Sequence, residues 1–561
     1  MKLKLTPIVL VAVLLVILSS CSNKADVPVP ADAAFVLHID GKSLNEKLSW
    51  DEIKQNAAFK KAYEEAANED ELVRKIMDNP ENSGVDTKSD VYFFMRMRSR
   101  GAYVSFVCNI KDEKAFNDLV TKATKGATVK KEGGLSMIVT DNAVLSWNSS
   151  RLAAIIDAPD AYQGGGGFDM SNGGGKSFGT DSLVFFAKEV HTLKSKQSLG
   201  SNSKFSSLLK EKGDAHIWVN GGTMYGGSLP AMLALTKVAL LFEGNISAAT
   251  VNFENGKITF NGKSYFNKEM EALYKKYSVK NVDPAIYKNI PGDVAAVMAM
   301  NYSPEAIKEF ISMLGVDGLV NMFLGKENFS IDDFIKANKG EAFFAVSDFK
   351  VVTKENTVEG TNYNHNYPSE YPEAKILFGA AIGDRASFDK TVNLITSKIK
   401  EESGENVSEL AKKVPFTIKN NWFLAGNDSV FLNSYGAGST DHAFISKISG
   451  HPFGGYLDIQ KFINGARPAM KDSVATMIAD QSLKLWQDIV FYGGEFKDGA
   501  LTTYGEINMV DKSTNSLKQL NSYFDFIAQQ LMFKQAEIMR DGLDILPPPP
   551  PVEVQPTPKK K

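Results

Sequence analysis

Cysteine is almost missing from this chain: its 561 residues include only Cys21 and Cys108. With so few thiols a disulfide framework is excluded, and packing must supply the stability. Histidine is sparse too. His38, His191, His216, His365, His442 and His451 are scattered without the close spacing of a zinc site. No sign of charge is in excess, with 63 basic against 66 acidic side chains and a net charge of -3. That balance excludes a dedicated nucleic-acid surface. A phosphate-binding loop is missing as well. Gly173-Gly174-Gly175-Lys176-Ser177 has the right ending, but Met170 stands where the pattern requires glycine. No cofactor motif is left.

What is present is ordinary globular composition, 43% hydrophobic and 23% charged, in a chain long enough for roughly two to four domains. The N-terminus carries the clearest address. Lys2 and Lys4 precede the apolar run Ile8–Leu18. That run falls short of the about 20 residues that cross a bilayer, so it reads as a signal-peptide core. Leu18-Ser19-Ser20-Cys21 then has the pattern of a lipobox, in which the cysteine is acylated after cleavage. Residues 1–20 are therefore read as signal peptide and 21–29 as a tether. Lipid on Cys21 would hold the protein to a membrane of the cell envelope. Ser22, where aspartate would favour inner-membrane retention, points to the outer membrane; the periplasmic or surface side stays open.

The rest of the chain echoes itself. Pro30-Ala31-Asp32-Ala33-Ala34-Phe35-Val36 resembles Pro291-Gly292-Asp293-Val294-Ala295-Ala296-Val297. Phe93-Phe94 recurs as Phe343-Phe344. Ile110-Lys111-Asp112 with Phe116 recurs as Ile382-Gly383-Asp384 with Phe388. Phe253-Glu254-Asn255-Gly256 recurs as Phe496-Lys497-Asp498-Gly499. The order is kept throughout, which predicts two related halves, 30–285 and 286–541, followed by a Pro-rich disordered tail, 542–561.

Within each half, helix and strand signals alternate. Ser49 with Glu52, and Ser303 followed by Pro304, start helices, and Ser330 with Asp333 starts another. Asp112 and Asp384 sit where a strand gives way to a helix. Val104, Phe106, Cys108 and Ile110 share one face of a period-two run. Asn255-Gly256 and Asp498-Gly499 are dipeptides of type I′ hairpins. These signals predict an α+β fold, each half a mainly antiparallel sheet with packed helices. A last helix over 513–540 places Leu517, Leu520, Phe524, Ile527 and Leu531 on one stripe.

Candidate sites are few. Arg96, Arg98 and Arg100 alternate along a strand and could present a basic face to an anion; a solvated strand face accounts for them as well. Asp181-Ser182-Leu183, Asp428-Ser429-Val430 and Asp472-Ser473-Val474 resemble the Asp-Ser/Thr-apolar triplet of Bacteroidota O-glycosylation, making Ser182, Ser429 and Ser473 acceptors to consider. Cys108, on an apolar strand face, reads as buried and inert. No catalytic, metal or cofactor-binding residue emerges.

The lipobox, Pro30–Val36, Asp40, Ser43-Leu44 and the Ser49-Trp50-Asp51-Glu52 helix start together resemble the Bacteroidota lipoprotein family labelled domain of unknown function 4836. The resemblance implies an envelope lipoprotein and no activity. The expectation is a non-enzymatic protein that binds or scaffolds at the outer membrane, its partner an envelope protein, lipid or glycan. The alternatives are an envelope hydrolase with a site between the halves and an assembly factor for other envelope proteins. A deep pocket between the halves with close carboxylates and shifted pKa values would favour the enzyme, and a wide apolar groove a lipid or partner carrier.

Overall fold

The structure, a computed structural model, describes residues 27–544 apart from 68–70, 99–100, 125–127, 163–175, 226–236, 326–327, 360–363 and 404–413. The lipobox, Arg100, the Gly-rich loop and the tail beyond Asp544 lie outside the described residues.

Among the described residues, eighteen strands form one sheet, and every pairing in it is antiparallel. The first ten are β1 (Phe35–Ile39), β2 (Val91–Arg98), β3 (Gly101–Asn109), β4 (Lys130–Glu132), β5 (Leu135–Val139), β6 (Ala143–Trp147), β7 (Arg151–Asp157), β8 (Ala215–Asn220), β9 (Ile246–Glu254) and β10 (Lys257–Tyr265). Their ladder runs β4-β5-β6-β7-β3-β2-β1-β8-β9-β10. The remaining eight are β11 (Val294–Asn301), β12 (Asn338–Glu359), β13 (Asn364–Ile382), β14 (Phe416–Lys419), β15 (Trp422–Gly426), β16 (Phe453–Asp458), β17 (Trp486–Lys497) and β18 (Ala500–Met509). They run β14-β15-β13-β12-β11-β16-β17-β18. Pairing of β10 with β18 closes the seam between the two groups. The architecture is mixed α+β with an antiparallel sheet.

The helices used below are α1 (Ala57–Ala67), α2 (Glu113–Ala123), α3 (Thr180–Thr192), α4 (Ser203–Leu208), α5 (Pro304–Met313), α6 (Asp317–Gly325), α7 (Ile331–Ala337), α8 (Arg385–Ser403), α9 (Ser429–Asn433), α10 (Ser473–Leu485) and α11 (Ser516–Asp544). Their starts follow local chemistry. Ser303 accepts from the Ala306 amide, and Ser330 with Asp333 makes a reciprocal capping box at α7. Asp112 accepts from the Ala115 amide and Asp384 from the Ser387 amide, so both strand-to-helix junctions are capped alike.

The two faces of the sheet differ. On the front, Val36, Phe94, Tyr103 and Trp218 are buried beneath Leu183, Phe186 and Val190 of α3 and Phe205 of α4. Val297, Phe343, Ala345 and Leu377 are buried beneath Phe431 and Leu432 of α9 and the segment carrying Phe444 and Ile448. Each large side chain of this kind contributes about 1.5–3 kcal/mol on burial. The back is covered in places. Phe116 and Val120 of α2 pack on Cys108 and Leu152. Tyr523, Leu520 and Ile527 of α11 pack on Val251, Ile258 and Met509 at the seam.

Three expectations are corrected. The Phe doublets are not in one register: Phe94 is buried opposite Val36, whereas in the second doublet Phe343 is buried and Phe344 is 41% exposed. A shift of one residue turns every side chain to the other face. The Asn255-Gly256 turn is not type I′, because only Gly256 takes positive φ while Asp498 and Gly499 both do. Asn255 instead bridges to Asn515, and a side chain at Gly256 would strike Lys512. On α11 the buried aromatic is Tyr523, while Phe524 and Leu531 are exposed, because α11 packs between α1 and α10 and not along one stripe.

Candidate functional site

In an antiparallel sheet with one wet face, apolar and polar side chains should alternate. Several central strands do not alternate. The back-face residues of β1 are Phe35, Leu37 and Ile39, and those of β2 are Val91, Phe93, Met95 and Met97. In the second group they are Ala296, Met298 and Met300 on β11, Ala342, Phe344 and Val346 on β12, and Ile376, Phe378 and Ala380 on β13. These positions carry no charged side chain.

Register aligns them into rows. Phe491, Gly455, Met298, Phe344 and Phe378 stand side by side on five consecutive strands. Phe453, Met300, Ala342 and Ala380 form the row beside it. In the first group the row is Ile217, Leu37, Phe93, Phe106 and Ala154. The ring of Phe491 lies over Gly455, where a Cβ would come within 2.1 Å of it. Met298, Met300 and Ile376 are each 37% exposed, and Phe378 is 41% exposed. A contiguous apolar surface of this kind is not left in water without a purpose. Methionine among the aromatics adds adaptable, polarizable contact area.

Helices on the same side add to it. Phe388 of α8 packs on Phe423, which is paired with Ala380, so α8 lies on the back. Ile395 of α8 is exposed, as are Leu319, Met322 and Phe323 on α6, which adjoins α7 and through it α8. Phe524, Leu531 and Phe533 of α11 are exposed as well.

The front of the seam is polar. Asn261 of β10 is paired with Tyr504 of β18. Lys257 reaches Glu506 at 3.0 Å, and the Tyr504 hydroxyl donates to Glu506 at 3.0 Å. Asp488 accepts from Lys447 at 2.7 Å and from Asn508 at 2.7 Å. Lys263 pairs with Glu211. His451 stacks on Tyr492, with ring centres 4.0 Å apart, and pairs with Glu495. Burial would raise the pKa of Glu506, but hydrogen bonds from Asn508, Lys257 and Tyr504 outweigh it and hold the group below the usual carboxylate range. Burial, together with Glu506, pushes the Tyr504 hydroxyl up to about 12. Neither group is poised to exchange a proton near neutrality, as a general acid or base must be.

Two surface depressions, of about 360 and 280 Å³, lie elsewhere: one beside Asp293, Asp348 and Lys461, the other beside Lys484, Asp511 and Tyr523. Among the described residues, no group of three His, Cys, Asp or Glu side chains could hold a metal ion. No helix among them is long and apolar enough to cross a membrane.

The residues singled out in the sequence are placed as follows. Arg96 is buried, with Asp32 at 2.6 Å, Glu189 at 2.5 Å and the Tyr103 hydroxyl at 3.2 Å. Arg98 shares Asp32 at 3.5 Å. An anion approaching Arg96 would therefore meet two carboxylates. Ser182 is half-buried in the first turn of α3. Ser429 and Ser473 are exposed first residues of α9 and α10, with Asp428 and Asp472 as the caps. Cys108 is buried, and burial pushes its thiol up to about 12. His38 and His216 are joined Nδ1 to Nδ1 at 3.0 Å, with Asp90 3.3 Å from His38 and the Glu211 carbonyl 3.1 Å from His216.

Sequence reasoning missed the exposed back-face residues. Their signal was the unbroken apolar runs 294–300 of β11, 342–346 of β12 and 376–382 of β13, which read as burial on both faces when only one is covered.

The family described as "Domain of unknown function (DUF4836)" matches residues 26–165. No curated protein matches the chain. Among solved structures, crystal form I of TP0453 resembles it with a TM-score of 0.23 at 11% identity, covering 47% of this chain and 89% of that one. Crystal form III resembles it with a TM-score of 0.25 at 11% identity, covering 47% and 90%. Overlap at that level carries no argument about fold or activity.

Proposed function

We propose that this is a non-enzymatic lipoprotein of the cell envelope that holds the acyl portion of a lipid against the back of its sheet. The observation that carries the reading is the row Met298, Phe344 and Phe378: large apolar side chains, substantially exposed, among strand positions without charge. An acyl chain asks for no hydrogen bond, and such a surface offers none. The hydrolase alternative has less support, since the carboxylates at the seam are tied up in ion pairs.

In this reading Cys21 carries the membrane anchor, and Ser22 favours the outer membrane. The body comprises two related halves, residues 30–285 and 286–541, with the tail 542–561 beyond them. The relationship is supported by β1 lying between β2 and β8 as β11 lies between β12 and β16, and by the paired caps Asp112 and Asp384. Ser429 and Ser473 have the exposure that a glycan acceptor needs.

The test is displacement of a fluorescent fatty acid from the full chain. Met298→Asp with Phe378→Asp should weaken binding at least tenfold while the protein stays folded, since neither side chain belongs to the buried front core. Unchanged affinity would refute the lipid reading. Incorporation of labelled fatty acid into wild type and not into Cys21→Ala tests the anchor separately.

A further inference from the structure

The chain enters its folded body at one shoulder. Ser198 Oγ donates to the Val27 carbonyl at 2.6 Å, the Leu199 amide donates to the Val29 carbonyl at 2.8 Å, and the Ala31 amide donates to the Gln197 carbonyl at 2.8 Å. Pro30 bridges to Ser198, and Gly200 has no room for a Cβ beside Val27. The entry point is therefore fixed to residues 197–200. Covalent geometry limits six residues to about 22 Å, so Cys21 cannot lie further than that from Val27, whatever path the chain takes.

That shoulder is basic. Lys194 and Lys196 are exposed and flank Ser195, and Lys204, half-buried at the second position of α4, holds its ammonium 4.6 Å above the Tyr265 ring. The acids closest in sequence are occupied, Glu189 by Arg96 and Glu211 by Lys263, and Glu271, the carboxylate that Lys204 faces across space, is paired with Lys275. Asp32, on the entering segment, is shared by Arg96 and Arg98.

We infer that residues 194–204 form the surface that meets the membrane, with Lys194, Lys196 and Lys204 docked on anionic lipid headgroups. This rests on the reading of Cys21 as acylated, because it is the short reach from that residue that brings the shoulder to the bilayer. Acyl anchoring combined with a basic patch is the two-signal arrangement that makes membrane attachment stable. The attraction acts within a Debye length of the surface, about 10 Å at 0.1 M salt, and a tether this short lets the lysines come within that range. The anchor and the shoulder then fix the body's orientation, which a lipid tether alone would leave free.

The experiment uses the full-length lipidated protein reconstituted into vesicles of phosphatidylcholine, with or without phosphatidylglycerol. Ser195→Cys or Lys354→Cys carries a fluorophore, Cys108 being buried and unreactive. Co-flotation with phosphatidylcholine vesicles reports the anchor. Quenching by a headgroup-borne nitroxide reports the contact. Quenching is expected at position 195 and not at position 354, stronger with phosphatidylglycerol and weakened by salt. Lys194→Glu with Lys204→Glu should lower the preference for phosphatidylglycerol by at least about fivefold per lysine. Co-flotation without preferential quenching at 195 would overturn the shoulder and leave the anchor standing. Flotation with phosphatidylglycerol vesicles alone, abolished by the two charge reversals, would support the shoulder and overturn the anchor. Flotation with neither overturns both.

Discussion

Asn261 and Tyr504 face each other across the β10–β18 seam, and each stands the same number of residues beyond its hairpin glycine, Gly256 or Gly499. Each edge strand therefore meets the other at the corresponding position, as in a self-complementary two-fold contact. If this ladder couples the two groups of strands, Tyr504→Pro, which removes a donor inside a central strand, should split one calorimetric unfolding transition into two. A single transition at unchanged temperature would argue that the cores are coupled elsewhere, for instance through α11.

His191 should make the protein sensitive to acid. Ser146 donates to the Ala153 carbonyl at 3.2 Å, so its oxygen accepts from His191 Nε2 at 3.0 Å. Nδ1 is left without a proton and, among the described residues, without a hydrogen-bond partner. Burial, reinforced by Arg151, lowers this pKa to about 4. In the unfolded chain histidine titrates near pH 6.5. Between those values the unfolded state binds more protons, so the stability contribution present above pH 6.5 is lost as pH falls toward 4. The loss should reach about 2–3 kcal/mol. Urea midpoints at neutral and acid pH measure it, and His191→Leu should flatten the slope. An equally steep slope in that variant would place the sensitivity elsewhere.

Cys108 should resist thiol reagents in the native state and react only on unfolding. Its thiol is buried, and the thiolate is the reactive species. Cys108→Ala should cost about 1 kcal/mol or somewhat more through lost packing, with fatty-acid binding retained. Rapid labelling of the folded protein would contradict the burial.

Gly379 lies opposite Phe343, and a Cβ there would come within 2.0 Å of the ring. Gly379→Ala should push Phe343 off its seat in the front core and cost about 1–3 kcal/mol in chemical denaturation. Phe343→Leu in the same background should recover part of the loss. If Gly379→Ala were neutral, the ring would have to have room to move aside.

The parts of the fold that depend on neighbours in sequence could be read in advance. Ser49, Ser303, Ser330, Asp112 and Asp384 all cap helices where the pattern put them. Both Gly-containing hairpins formed, although Asn255 took negative φ because a segment far along the chain, at Asn515, bridges to it. What depends on distant partners could not be read. Nothing local in β10 says that it will pair with β18. The exposure of Met298 and Phe378 follows from which side the helices settle on, and an apolar run cannot tell a strand covered twice from one covered once. The Phe doublets illustrate the same limit, since identical letters sit on opposite faces.

The seam also governs solubility. Each group of strands on its own would present a long open edge, β10 or β18, with unsatisfied backbone donors and acceptors along its length, and such edges recruit further strands. In the intact chain each edge satisfies the other. The outermost strands that remain are short: β14 has four residues, and β4 has three, all charged and exposed. A gene fragment ending between Tyr265 and Val294 would leave β10 bare, and its product is expected to self-associate through that edge into dimers or larger aggregates.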